Sequence, residues 1–160
     1  MPTESPTARI TSVGEIMSER IETINLLNTA QEAAIKMSDR DVSSLVALDD
    51  NGRAVGIITE RDLARHVCTK NIPSSSVTVE NVISLPVKTV VGETPIDAVA
   101  DIMVRNKLRH LVVVDKNQEP VGITSATDIV AYIRENSETM AKINSEVIEA
   151  LEREGRHTGI

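Results

Sequence analysis

Residues 43–63 read SSLVALDDNGRAVGIITERDL, and residues 109–129 read RHLVVVDKNQEPVGITSATDI. Both pass in the same order through an apolar run, an acidic turn, Val-Gly-Ile, a hydroxyl residue and a late Asp. A shift of 66 residues extends the match without a gap and lays residues 12–67 on 78–133. Val13 falls on Val79, Ser18 on Ser84, Thr23 on Thr89, Met37 on Met103, Asp49 on Asp115 and Asp62 on Asp128. Two units of about 55–60 residues are too short an array for a solenoid, which needs about three or more repeats. The pair is therefore expected to pack face to face about a pseudo-twofold.

Within each unit the pattern reads as β-α-β-β-α, an α/β (α+β) class. A brief helical turn at VGEIM or VENVI leads into a short strand, Ile21–Ile24 or Val87–Val90. A helix follows. Thr29 and Glu32 have the spacing of a capping box, and Thr94-Pro95 places Pro at the preferred first helical position. The apolar runs SLVAL and HLVVV are nearly continuous, as in strands covered on both faces. Asp50-Asn51-Gly52 is a strong hairpin signal, whereas Lys116-Asn117-Gln118 predicts a looser turn. The closing helix starts near Glu60 or Ala126.

The expected organisation is a polar N-terminus at 1–11, a first repeat at 12–69, a linker at 70–77, a second repeat at 78–136 and a tail at 137–160. In the tail, Met140, Ile143, Val147 and Leu151 recur three or four apart, the pattern of an amphipathic helix. Glu138 with Lys142 and Glu149 with Arg153 add favourable i,i+4 pairs. That helix either caps the body or forms a dimer seam.

Composition narrows the function. The chain of 160 residues has a net charge of −7, no Phe or Trp, and one Tyr. An acidic chain without stacking platforms argues against binding to a nucleic-acid backbone. No apolar run approaches the roughly 20 residues that span a bilayer, and no signal peptide is expected, so a cytoplasmic setting and no membrane partner are expected. The single Cys68 cannot form an internal disulfide and fits a reducing compartment. DDNGR lacks the alternating oxygen ligands of a calcium loop, and His66 with Cys68 does not complete a zinc set. Neither a Ser-His-Asp arrangement nor a phosphate-loop fingerprint is found, so no catalytic role and no metal are assigned.

The tandem units, the LVVVD…VGI hairpin and the Gly-x-x-Ser/Thr-x-x-Asp endings together resemble the CBS domain pair, or Bateman module, over residues 12–133. The resemblance implies a regulatory binder of AMP, ADP or ATP, with an S-adenosylmethionine-type ligand as an alternative, and no cofactor beyond that ligand. It also implies a homodimer through CBS–CBS contacts and an unidentified regulated protein. By resemblance, Asp62 and Asp128 accept hydrogen bonds from ribose hydroxyls, and Thr59 and Ser125 contact ribose or phosphate. Each cleft draws on both units. One would combine Ile57, Thr59 and Asp62 with Thr89, Leu108, Arg109 and His110. The other would combine Ile123, Ser125 and Asp128 with Thr23, Val42, Ser43 and Ser44.

A simpler reading stands beside each of these. Thr59 with Asp62, and Ser125 with Asp128, also have the spacing of a helix-capping pair. On that reading the chain is a ligand-free oligomerisation or interaction scaffold. Arg109 and His110 are either phosphate contacts or a solvated strand entrance. Their unit-one counterparts, Ser43 and Ser44, carry no charge, so the two clefts are expected to be unequal, with the Asp62 cleft the better fit for a phosphorylated ligand.

Overall fold

Leu45, Val46 and Ala47 are buried, as are Leu111, Val112 and Val113, because each triplet lies in the middle strand of a three-stranded sheet. The computed structural model describes residues 11–83, 87–136 and 145–156. In the first sheet β2 (Ser44–Leu48) lies between a parallel β1 (Thr23–Asn25) and an antiparallel β3 (Ala54–Thr59). In the second, β5 (His110–Val114) lies likewise between β4 (Thr89–Val91) and β6 (Pro120–Ser125). Helices α1 (Ala30–Arg40) and α2 (Glu60–His66) belong to the first unit, α3 (Ile96–Asn106) and α4 (Ala126–Glu135) to the second.

Strand alternation explains why the middle runs must be apolar throughout. Leu45 and Ala47 join a core with Ala33 and Met37 of α1, while Leu111 and Val113 join one with Val99, Met103 and Ile129. The intervening Val46, Val112 and Val114 form a third cluster, which joins the two units. Successive side chains point to opposite faces, so each middle strand is covered by helices on one side and by the other repeat on the other. Full burial of one such side chain contributes about 1.5–3 kcal/mol.

The lead-in segments are exchanged between the repeats. Val13, in a 3-10 turn over Val13–Glu15, is buried in the second unit's core. The backbone N–H groups of Val13 and Gly14 donate to the carbonyls of Thr94 and Gly92, both at 2.8 Å. A Cβ on Gly14 would stand 2.9 Å from the Gly92 oxygen, so this approach requires glycine. Val79, in the turn Val79–Asn81, is buried in the first unit's core, and its N–H donates to the Asn28 carbonyl at 2.8 Å. Each core is therefore completed by the other repeat's leader.

Three local expectations change. Both hairpin turns have one geometry: Gly52 donates to the Asp49 carbonyl and Gln118 to that of Asp115, with positive φ at Gly52 (77°) and Gln118 (65°). Asp49 Oδ1 accepts from the N–H groups of Asn51 and Arg53, and Asp115 Oδ1 from those of Asn117 and Glu119. The repeated Asp, not Asn-Gly, dictates the turn, and the second is no looser than the first. Pro95 is the residue before α3, with extended backbone at φ −60° and ψ 146°, not the first helical residue. The first strands begin later than expected, at Thr23 and Thr89.

The segment between the repeats contains a 3-10 turn over Ser74–Ser76, and the Val77 carbonyl accepts from Ala30 N–H at 2.9 Å. Helix α5 (Ser145–Arg156) caps the second unit. Leu151 is buried in its core with Ile133, Val147 packs alongside, and Arg134 Nη2 meets Glu152 Oε1 at 2.7 Å. Glu149 and Arg153 pair at 3.8 Å. Met140, Ile143 and the Glu138–Lys142 pair lie outside the described residues, as does Ser84.

Candidate functional site

β3 ends at Thr59 and β6 at Ser125, and each residue caps the helix that follows. Thr59 N–H and Oγ1 both donate to Asp62 Oδ2 at 2.8 Å, while Asp62 N–H donates back to Thr59 Oγ1 at 3.2 Å. Ser125 and Asp128 repeat the arrangement with the same three distances. The capping reading is thus realised in full at both sites. It uses Oδ2 only; Oδ1 of either carboxylate makes no hydrogen bond among the described residues.

Beside the first cap lies a cleft of about 970 Å³. Ile57, Thr59 and Asp62 of the first unit meet Leu108, Arg109 and His110 of the second there, and Ser43 and Ser125 also line it. The register explains the meeting. Ser44 pairs with Thr59 and His110 with Ser125, so the start of each middle strand lies beside the start of its closing helix, and the packed sheets bring these ends together.

Several lining residues were not anticipated: Glu60, Arg61, Arg65, Val87, Lys88 and Lys107. A signal for them exists in the repeat. At the 66-residue shift, Lys88, Lys107 and Arg109 correspond to Glu22, Asp41 and Ser43. Arg61 and Arg65 are four apart on α2 and share its face; they correspond to Thr127 and Ala131. The cleft therefore gathers five cationic side chains against the carboxylates of Glu60 and Asp62, in a chain of net charge −7.

Part of the other residue set lines a smaller groove among the described residues. Val42, Ser43, Ser44 and Ile123 line a groove of about 250 Å³, with Arg20, Glu22 and Asp41 at its edge. Ligand pockets run to about 300–1,000 Å³, so this groove is below that range and the cleft is within it. Asp128 lines neither. Ser18 forms an antiparallel bridge to Ile123, and Met17 fills the space at Gly122, where a Cβ would stand 2.3 Å from its sulfur.

Thr23 and Thr89 are also not brought to these sites. Each lies level with the third residue of its middle strand, Val46 or Val112, which is two residues beyond Ser44 or His110. At about 3.3 Å per residue that moves them some ~6–7 Å toward the hairpin end. Thr23 lines a separate groove with Leu48, Asp49 and Gly52, and its carbonyl accepts from Lys36 Nζ at 2.6 Å. The residues just before each strand, Glu22 and Lys88, take the expected place at the cleft edges.

His110 sits between the two caps. Burial pushes its imidazole below the ordinary value of 6.5, and the Arg109 guanidinium acts in the same direction, while the carboxylates of Asp128 and Asp62 oppose them. The ring is therefore neutral at pH 7 and stays neutral to a lower pH than its residue type predicts. Among the described residues no group of three or more His, Cys, Asp and Glu side chains is placed to hold a metal ion, and no helix is long and apolar enough to cross a membrane.

Two duplicated α+β halves, packed through their sheets and sharing a polar cleft at the strand ends, define a tandem-repeat module. The CBS domain model matches residues 13–69 and again 79–135. The chain belongs to the CBS-domain family. An uncharacterised 17.7 kDa protein from Acidianus ambivalens is 34% identical over 119 residues, covering 74% of this chain and 71% of its own. Several longer curated relatives are matched over only about a quarter of their length. Among solved structures, the CBS-domain protein TA0289 of Thermoplasma acidophilum, of unknown function, superposes with a TM-score of 0.75 at 26% identity, over 92% of this chain and 78% of that one. The CBS domain pair of protein MJ0100, in complex with 5-methylthioadenosine and S-adenosyl-L-methionine, superposes with a TM-score of 0.70 at 29% identity, over 79% and 98%.

Proposed function

We propose that the chain is a regulatory, ligand-sensing CBS pair that binds an adenine nucleotide (AMP, ADP or ATP) in the cleft at Asp62. The observation that carries this reading is the convergence of Thr59 and Asp62 from one repeat with Leu108, Arg109 and His110 from the other in one large cleft. Asp62 Oδ1 is available to accept from vicinal ribose hydroxyls, a bond strengthened by the carboxylate charge. Ile57, Val87 and Leu108 offer aliphatic contact for a base, and Arg109 a planar fork for phosphate. The adenosine ligands of the MJ0100 pair support the nucleoside part of the reading. The local excess of cations favours a phosphorylated ligand over a sulfonium.

Regulation follows from shared lining. A ligand that touches both repeats favours whichever arrangement of repeats, or of a homodimer, binds it better, and only to the extent of that difference. The proposed setting is the cytoplasm, the output is a change in contact with another protein, and the ligand is recovered chemically unchanged.

Calorimetry with AMP, ADP, ATP and S-adenosylmethionine, at protein above about 100 μM so that weak binding registers, tests the proposal. Binding heat with a nucleotide is expected, and its loss in Asp62→Ala. Silence with all four ligands would leave the two carboxylates as helix caps and favour an interaction scaffold.

A further inference from the structure

Arg61, Arg65, Lys88 and Lys107 line one cleft, and none of them makes an ion pair within the described residues. Elsewhere in the chain Lys36, Arg105, Arg134 and Arg153 each meet a carboxylate, while cations unpaired among the described residues, such as Arg53, Lys70 and Lys116, lie outside the cleft. The cleft is thus a place where an acidic protein gathers five cations against two carboxylates, Glu60 and Asp62, with none of Arg61, Arg65, Lys88 and Lys107 held in an ion pair within the described residues. A single phosphate beside Arg109 does not account for four more cations along the same cleft. The smaller groove offers the opposite edge, Glu22 and Asp41 beside one Arg20.

We infer that the cleft selects a nucleoside di- or triphosphate over the monophosphate, with Lys88 and Lys107 as the residues that read the added phosphates. This rests on the adenine-nucleotide reading above and sharpens it. Discrimination arises because each added phosphate places more negative charge within reach of cations that a monophosphate leaves solvated. Charge-assisted hydrogen bonds are roughly twice as strong as neutral ones, and two partly exposed ones suffice for about a tenfold preference.

The test is a titration of AMP, ADP and ATP, in EDTA to keep divalent cations off the phosphates, against the wild type and the double variant K88E/K107D. These substitutions install the residues that the first repeat carries at Glu22 and Asp41. Both lysines are exposed, and Asp41 already adopts the left-handed backbone that Lys107 has, at φ 52° against 53°, so the variant is compatible with the fold. The expected result is ATP about tenfold or more tighter than AMP in the wild type. In the variant that ratio falls to within about threefold, because ATP loses more affinity than AMP does. The single variant R65A is expected to lower the ratio in the same direction. Equal affinity for AMP and ATP in the wild type would overturn the inference and leave the nucleotide reading intact. An undiminished ratio in K88E/K107D would overturn the assignment to these lysines. Absence of binding by any nucleotide would overturn both.

Discussion

The two repeats agree where they are covered and differ where they line the open ends. Leu45 and Leu111, Val46 and Val112, Met37 and Met103 are matching residues in matching environments, and even the caps at Thr59 and Ser125 share their distances. At the strand starts the match fails: Glu22 against Lys88, Asp41 against Lys107, Ser43 against Arg109, Ser44 against His110. A close-packed interior penalises any change in volume, whereas a solvated rim accepts a reversal of charge at little cost in stability. A duplicated scaffold can therefore keep one architecture and hold two unlike sites. Here one side becomes a large cationic cleft and the other a small groove with acidic edges.

The largest effects should fall on the part the repeats share. Leu45→Ala and Leu111→Ala are each expected to cost about 2–5 kcal/mol. Because Val13 and Val79 complete each other's cores, either variant should lower a single cooperative urea transition. Two separated transitions would show that the halves fold independently.

Next in size is the contrast between the caps. Asp62→Ala is expected to weaken nucleotide binding by about 1.5–3 kcal/mol, the scale of a hydrogen bond to a charged group, whereas Asp128→Ala should leave it within about threefold. Both variants should lose a similar amount of stability, about 0.5–2 kcal/mol, from loss of the cap. Equal effects on binding, measured by calorimetry, would erase the difference between the two sides.

A smaller effect separates His110 from Ser44. Burial holds the folded-state pKa of His110 below the ordinary 6.5, so the neutral ring is favoured on folding. Its contribution to stability is complete above about pH 6.5 and falls as the pH drops below that value, since the unfolded chain takes up the proton first. It levels off once the pH lies below the folded-state pKa. His110→Ser, which copies the first repeat, is expected to flatten the urea midpoint across this window. A midpoint that stays just as steep in pH would place the titration elsewhere. The smallest change is expected from Arg134→Ala. It removes the contact with Glu152 on α5, but Arg134 is 68% exposed, so the loss should stay below about 1 kcal/mol in the same denaturation measurement.

Much of this was legible in the residues. The 66-residue repeat, the doubly covered middle strands, the capping pairs and the association of Thr59 and Asp62 with Arg109 and His110 all follow from local pattern and from the resemblance it carries. Thr23 and Thr89 enter the clefts only through the resemblance. The parallel register sets them level with Val46 and Val112, two residues beyond the strand starts, so their side chains lie further along the sheet. Lys88 and Lys107 were passed over because an exposed lysine has no periodicity to mark it. Only subtraction of one repeat from the other singles it out.

The sequence alone determined that the chain is made of two like units, since the 2.0-residue and 3.6-residue apolar periods that set strands and helices are local and occur twice in register. Only the tertiary structure decided that each unit closes over the other's leader, that α5 seals the second unit, and that one open end is wide and the other narrow. These outcomes depend on contacts between residues far apart in the chain, whose energies are set by fit and by the side chain already present, such as Met17 against Gly122, and no local pattern carries that information.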